Sequence, residues 1–166
     1  MILNLRIVRV NSDYCDYLRK FDNKVAYNKY EKELRPFIWI LFKIESCEYF
    51  AALSSPKPKH LKMKNTVDFF KIKDGELGAV NFNNMIPVNI NNYTLVDLNK
   101  ETITLEELKY QKLLREQLVW LNANYKQVKN KSFKLYELYN SGRLPDNIKN
   151  RCCNFKLLEQ KCLEYK

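Results

Sequence analysis

Between residues 36 and 90 the chain is cut into short apolar runs, none long enough for a helix. Phe37-Ile38-Trp39-Ile40-Leu41-Phe42 and Tyr49-Phe50-Ala51-Ala52-Leu53 are the clearest. They predict strands over 36–45 and 48–54, with Glu45-Ser46-Cys47-Glu48 as the turn between them. Val67 to Ile72, Leu77 to Phe82 and Met85 to Ile90 read as further strands, and Asp74-Gly75 as a turn. Strands in close succession favour an antiparallel barrel or sandwich over a parallel sheet. At Thr104 the period changes. Thr104 and Glu107 form a Thr-x-x-Glu capping pattern ahead of a helical stripe, Leu114, Leu118, Leu121 and Tyr125. A second helix is expected over 131–140, stopped at Asn140-Ser141-Gly142, and a last one after a cap at Asn154, carrying Phe155, Leu158 and Cys162. At the start, residues 2–10 alternate as a strand does. Asn11 or Ser12 then caps a short helix to about residue 23, with Tyr14, Leu18 and Phe21 on one face. Residues 24–35 read as a loop or short helix. No linker divides the chain, so its 166 residues are expected to form one α+β domain, with the helices packed on the sheet.

Hydrophobic residues are 46% of the chain, enough for a packed core. Lys and Arg number 29 against 19 Asp and Glu, a net charge of +10. That field suits a polyanion, either nucleic acid or an anionic membrane. The same excess of Lys, Asn, Tyr and Ile also follows from AT-rich coding. Cys15, Cys47, Cys152, Cys153 and Cys162 are odd in number and contain no Cys-x-x-Cys pair, so neither a disulfide framework nor a zinc site is expected. Reduced thiols, an N-terminus without a long apolar run and no apolar stretch of spanning length point to a cytoplasmic protein with no membrane partner.

One segment concentrates the chemistry. Leu53-Ser54-Ser55-Pro56-Lys57-Pro58-Lys59-His60 leaves a predicted strand end with two hydroxyls, rigid prolines, two lysines and the single histidine. Between Pro56 and Lys73 six lysines, including Lys57, Lys59, Lys62 and Lys64, stand against the one acid Asp68. Such a run is either a solvated loop or a phosphate-binding one. Hydroxyls beside a lysine sharpen the second reading. Tyr14 is either core or a phenol aimed at a phosphate or base. Arg35 is either a surface cation or a phosphate clamp. His60 has the intrinsic pKa for acid–base work, yet equally suits a surface contact to nucleic acid. Lys126, Lys129, Lys131 and Lys134 form a second basic cluster, an RNA surface or a solvated helix face. No metal-spaced carboxylates, Gly-rich phosphate loop or Gly-x-Ser-x-Gly elbow is present, which disfavours metallonucleases, NTPases and serine hydrolases. No metal or cofactor is expected.

Several segments in order carry a resemblance. Asp13 to Val25 resembles the "Y-x-x-Y-L-x-x-F-D-x-K-V" segment of the ToxN/AbiQ family, and Arg35-Pro36-Phe37-Ile38-Trp39-Ile40 its "K-x-F-I-G-I" strand. Tyr49 to His60 resembles "Y-x-A-x-L-[TS]-S-P-K-x-x-H". Gly78 to Asn81 with Met85 to Val88 resembles "G-x-[IV]-N…M-I-P-[IVL]", and Cys153 to Lys161 "C-N-F-x-L-L-E-x-K". Each match is weak alone. Together they run in order from residue 13 to residue 161.

The family comprises endoribonuclease toxins of type III toxin–antitoxin and phage abortive-infection systems. The resemblance implies an antiparallel SH3-like barrel of the MazF/Kid type, elaborated by helices. It implies metal-independent cleavage in which a ribose 2′-hydroxyl attacks the adjacent phosphate, leaving a 2′,3′-cyclic phosphate and a 5′-hydroxyl. The implied partners are cellular mRNA as substrate and a small structured antitoxin RNA, cut from a repeat transcript and held with the toxin in closed head-to-tail assemblies. Carried over, the catalytic residues are Tyr14, Arg35, Ser54, Ser55 and Lys57. Lys59, His60, Lys62, Lys64, Lys126, Lys129 and Lys131 are the expected RNA contacts. Arg35 stands where lysine is common, so it reads as an electrostatic clamp, and Ser54 keeps the hydroxyl of a common threonine. Lys57 is the candidate base or proton shuttle. Two other readings remain: a non-enzymatic RNA-binding protein, and a MazF-like toxin with a protein antitoxin.

Overall fold

The computed structural model describes residues 4–26, 29–30, 33–39 and 41–166. The chain opens with β1 (Arg6–Val10) and α1 (Ser12–Arg19), followed by two short strands that pair with each other, β2 (Lys29–Tyr30) and β3 (Glu33–Leu34). Then come β4 (Pro36–Trp39), β5 (Lys43–Ile44) and β6 (Cys47–Ser54), the short helix α2 (Pro58–Lys62), β7 (Phe69–Lys71), β8 (Ala79–Val88) and β9 (Tyr93–Leu95). Helices α3 (Leu105–Ala123), α4 (Tyr125–Asn140), α5 (Asp146–Lys149) and α6 (Phe155–Glu164) complete the chain.

The main sheet is antiparallel, in the order β7-β8-β6-β4-β1-β9, with β5 also paired to β6. Among the described residues β7 and β9 do not pair, so the sheet is open. The closed barrel expected from the resemblance is corrected on that point, while the α+β class with an antiparallel sheet holds. Strand β6 is central. It pairs with β4 on one side and along most of its length with β8 on the other. Phe37, Ile38, Tyr49, Phe50, Phe82, Met85 and Phe155 are fully buried. Each such side chain contributes on the order of 1.5–3 kcal/mol of hydrophobic stabilisation.

Local signals placed the helix starts. Asn11 Oδ1 accepts from the Asp13 N–H at 2.9 Å, Thr104 Oγ1 from the Glu107 N–H at 3.1 Å, and Asn154 Oδ1 from the Leu157 N–H at 3.2 Å. Asn124 ends α3, so Tyr125 opens α4 rather than continuing the Leu114 stripe, and α4 begins earlier than expected.

Elsewhere the structure differs from expectation. Leu77 to Ile90 holds one long strand, β8, rather than two. Asn83, which lies between the two expected strands, is held by tertiary partners. Asn83 Nδ2 donates to Asp68 Oδ2 at 2.9 Å, and the Asn83 carbonyl accepts from the Cys153 N–H at 2.8 Å. Pro87 is tolerated because β7 reaches only to Asn81, leaving that end of β8 with β6 alone. Residues 56–65 contain α2, opened by Pro58 at its first turn, where a missing N–H costs nothing. Of residues 24–35, Lys29–Tyr30 and Glu33–Leu34 form the β2–β3 pair and Lys24 to Ala26 are turn and loop; none of those described is helical. All five cysteines are free thiols and buried.

Candidate active site and nucleic-acid interface

Ser54 is the last residue of β6, half-buried at the strand end. Its Oγ accepts from Asn81 Nδ2 at 2.8 Å and from the Arg35 guanidinium at 3.3 Å. The register explains both contacts. Phe37 pairs with Ala52 across β4–β6, so Arg35, two residues before Phe37, lies level with Ser54. Asn81 pairs with Ala52 across β6–β8. With both acceptor positions of Oγ filled, its hydroxyl proton is left to donate to a third group. A serine held this way, next to a guanidinium, suits a nonbridging phosphate oxygen.

Gly78 fits the strand end closely. Its φ is +99°, and a Cβ there would lie 2.0 Å from the Ser54 carbonyl oxygen. Only glycine meets both conditions.

Beyond Ser54 the chain turns through exposed Ser55 and Pro56 into α2, with Lys57 as the capping residue. Lys57 and His60 are joined twice. The His60 N–H donates to the Lys57 carbonyl at 2.9 Å, and His60 Nδ1 accepts from the Lys57 N–H at 3.2 Å. His60 is 2% exposed, tilted against Phe69. Burial and the charges of Lys59 and Lys57 hold its pKa below the usual imidazole value, favouring the neutral ring that Nδ1 needs as an acceptor. Expected as an RNA contact, His60 is instead a buried brace for Lys57, because a ring so enclosed has no face for a ligand.

Tyr14 lies elsewhere. It is fully buried, and its hydroxyl donates to the Pro87 carbonyl. Pro87 pairs with Tyr49, five residues back along β6 from Ser54, or about 17 Å at roughly 3.3 Å per residue. Burial among Cys162, Cys47 and Cys15 drives its phenol pKa up. Expected among the catalytic residues, it is not brought to the Ser54 end. The structure gathers Arg35 and Ser54 in direct contact and places Ser55 and Lys57 on the segment that follows.

The two basic clusters meet at a cleft of about 520 Å³, lined by Asn65, Thr66, Val67, Asn130, Lys131 and Lys134. Its near wall follows Lys62 and Lys64, both exposed, as is Lys59. Its far wall is α4, where Lys126 extends the Asn130 face by one turn. Lys131 Nζ lies 5.3 Å over the Phe70 ring, whereas Lys129 lies 6.0 Å over Tyr125. Asn65 Oδ1 accepts from the Lys71 N–H at 2.8 Å, and Lys71 and Ser54 both pair with Ala79 from opposite sides. Two strand spacings, about 10 Å, therefore separate the Ser54 level of the sheet from the edge of the cleft. Asp68 anchors the near wall. It is completely buried, and its carboxylate accepts from Arg151 Nε at 2.6 Å and Nη2 at 2.9 Å, besides Thr66 Oγ1 and Asn83 Nδ2. Burial alone would raise its pKa, but the hydrogen bonds from Arg151, Asn83 and Thr66 outweigh burial and hold the carboxyl below its usual value.

Asn81 and Gln117 were not singled out from the sequence. Asn81 lies within the Gly78–Asn81 motif but had no assigned role. Gln117 is a polar residue on the buried side of α3 between Leu114 and Leu121, the one signal that could have found it. No group of side chains among the described residues is arranged to hold a metal ion, and no described helix is long and apolar enough to cross a membrane.

The structure thus brings together a strand-end serine held by arginine and asparagine and, about 10 Å away across the sheet, a lysine-lined cleft, and the relatives of this chain are RNA-cleaving enzymes. It is 33% identical to Endoribonuclease ToxN of Bacillus thuringiensis subsp. kurstaki, over 98% of this chain and 85% of that protein. It is 30% identical to Endoribonuclease AbiQ of Lactococcus lactis subsp. lactis, over 98% and 90%. A solved structure concerned with selective toxin inhibition by a non-coding RNA pseudoknot superposes with a TM-score of 0.82 at 31% identity, covering 98% of each chain. The structure of AbiQ, described as a lactococcal anti-phage endoribonuclease, gives 0.81 at 29% identity, again covering 98% of each. Residues 6–163 match the family described as toxin ToxN, type III toxin–antitoxin system, and the chain belongs to that family.

Proposed function

We propose that this chain, an endoribonuclease toxin of a type III toxin–antitoxin system by family, cuts RNA at the Ser54 strand end. The observation that carries the site is the Ser54 hydroxyl, which accepts from both Arg35 and Asn81 and keeps its proton for a phosphate oxygen. The RNA supplies the nucleophile, its own 2′-hydroxyl. The protein has to align it with the phosphorus, take its proton and stabilise charge on phosphate. Arg35 and Ser54 serve the charge. Ser55 and Lys57 follow on the stiff Pro56–Pro58 segment, Ser55 as a second donor and Lys57 as base or proton shuttle. Tyr14 acts from the core by fixing Pro87 rather than at the phosphate. The products are a 2′,3′-cyclic phosphate and a 5′-hydroxyl, with no metal required.

The cleft between Asn65–Val67 and Asn130–Lys134 carries RNA beyond the cut, with Lys59, Lys62, Lys64 and Lys126 along its approaches and Lys129 further round α4. The proposed substrates are cellular mRNA and the toxin's own repeat transcript. The proposed inhibitor is the small structured RNA released from that transcript, bound in a closed head-to-tail assembly in the cytoplasm. The chain acts as one domain throughout. A MazF/Kid-like relationship belongs to the same reading, supported by the antiparallel sheet and departing from it at the open edges β7 and β9.

The deciding experiment incubates purified protein with RNA in EDTA and analyses the new ends. Cyclic phosphate ends from the wild type, lost in folded Ser54→Ala and Lys57→Ala, support the assignment. Undiminished cleavage by both variants overturns the site, and intact RNA throughout leaves only a binding protein.

A further inference from the structure

Gln117 lies on α3, outside the sheet, yet its side chain ends at the Ser54 strand end. It is 1% exposed. Its Nε2 donates to the Leu77 carbonyl at 2.7 Å and, more weakly, to the Ser54 carbonyl at 3.4 Å. Its Oε1 is buried and has no partner among the described residues. The amide therefore serves as a donor, even though its acceptor half is buried without return, a cost of about 1–3 kcal/mol. An apolar side chain of the same length would avoid that cost but would take the donor from the Leu77 carbonyl, so the two penalties are of similar size and what the glutamine adds is a fixed position for the carbonyls it holds.

The two carbonyls belong to the two adjacent segments that meet at the site, the end of β6 and the approach to β8. Leu77 precedes Gly78, the residue pressed against the Ser54 carbonyl, and the Gly78 carbonyl in turn accepts from the Ile72 N–H at 2.9 Å. The Ser54 peptide is thus gripped by Gly78 from the neighbouring segment and by Gln117 from the helix. Gln117 touches neither the hydroxyl nor any group expected to meet RNA.

We infer that Gln117 is a positioning residue for RNA cleavage: its amide pins Leu77–Gly78 and the Ser54 carbonyl, and so sets where the Ser54 hydroxyl points. This rests on the reading of Ser54 as a catalytic donor. A displacement of about 1 Å at a reacting group can cost up to 10²-fold in rate. Gln117→Met keeps length and removes both donors. Gln117→Glu keeps shape and donates only when protonated, and burial raises the pKa of such a carboxyl. With its proton on, the glutamic acid restores one donor, so its activity is present at low pH and lost as pH rises through that raised pKa.

The test compares wild type, Gln117→Met, Gln117→Glu and Ser54→Ala in RNA cleavage at several pH values, with circular dichroism confirming that each is folded under assay conditions. The expected result is a kcat lowered about 10- to 100-fold in Gln117→Met with KM nearly unchanged. Gln117→Glu is expected to approach wild-type kcat at acidic pH and to fall away as pH rises, relative to wild type. If Ser54→Ala is inactive while Gln117→Met cleaves at the wild-type rate, or Gln117→Glu follows the wild-type pH profile, the inference is overturned. If Ser54→Ala itself cleaves normally, the underlying site reading fails first, and the inference with it.

Discussion

His60 Nδ1 accepts a hydrogen bond from the backbone N–H of Lys57, while the His60 N–H returns one to the Lys57 carbonyl. The pair closes the turn that presents Lys57, and it works only with the imidazole neutral at Nδ1. His60→Ala is therefore expected to lower RNA cleavage by on the order of tenfold or more through misplacement of Lys57. His60→Asn, whose Oδ1 can accept in place of Nδ1, should recover much of the loss. Parallel cleavage assays check this; equal loss in both variants would point to direct contact with RNA instead.

The same bond predicts a pH dependence of stability. The folded-state pKa of His60 is held below its ordinary value of about 6.5, so the unfolded chain binds this proton more tightly. Its stabilising effect is present above about pH 6.5 and is lost as pH falls through the folded value. Thermal melts between pH 5 and 7.5 are expected to show this fall in wild type and a smaller one in His60→Asn.

Asn81 offers a sharper test of the Ser54 hydroxyl than removal of the serine. Asn81→Ala deletes one donor to Oγ and should cost about tenfold in rate, less than the roughly 10²–10³ typical for a catalytic donor. Asn81→Asp presents an acceptor and a negative charge beside the proposed phosphate position. It is expected to be the worse variant in single-turnover cleavage. The reverse ranking would mean that the Ser54 proton is not the one offered to RNA.

Tyr14→Phe removes a buried hydroxyl that donates to the Pro87 carbonyl, some 17 Å along the sheet from Ser54. The expected cost is about 1–3 kcal/mol of stability, since a buried carbonyl loses its donor. That corresponds to a fall of a few degrees in Tm, with cleavage by the folded protein close to wild type. A hundredfold loss of kcat without a change in Tm would return Tyr14 to the chemistry.

Charge reversal at Lys131 and Lys134 should weaken RNA binding and flatten its dependence on salt, because fewer counterions are released. Binding titrations from 50 to 300 mM salt measure the slope. An unchanged slope would place the RNA on another face.

What the sequence disclosed follows the range of the forces involved. The caps at Asn11, Thr104 and Asn154 were legible because donor and acceptor lie within three residues. Ser54 at a strand end was legible from the apolar run before it and the prolines after it. The unbroken β8 was not, because Asn83 is satisfied by Asp68 and Cys153, distant in sequence. Tyr14 was misplaced for the same reason: nothing near it indicates that its hydroxyl meets Pro87. His60 was read as an acid–base group or a surface contact to nucleic acid, whereas burial against Phe69 turned it into a brace. Gln117 was overlooked because its partners, Leu77 and Ser54, are backbone carbonyls, which leave no mark in a side-chain pattern.

Strand β6 has neighbours on both sides and ends at Ser54. Backbone in the middle of a sheet is the last to open, so the groups at its tip are held ready before any RNA arrives. A blade mounted on the stiffest part of the handle cannot be folded away. On the proposed reading of Ser54, a site carried by so well paired a strand is most simply restrained by something that lies over it, so that the cell's safety rests on the supply of that cover rather than on a change of shape within the enzyme.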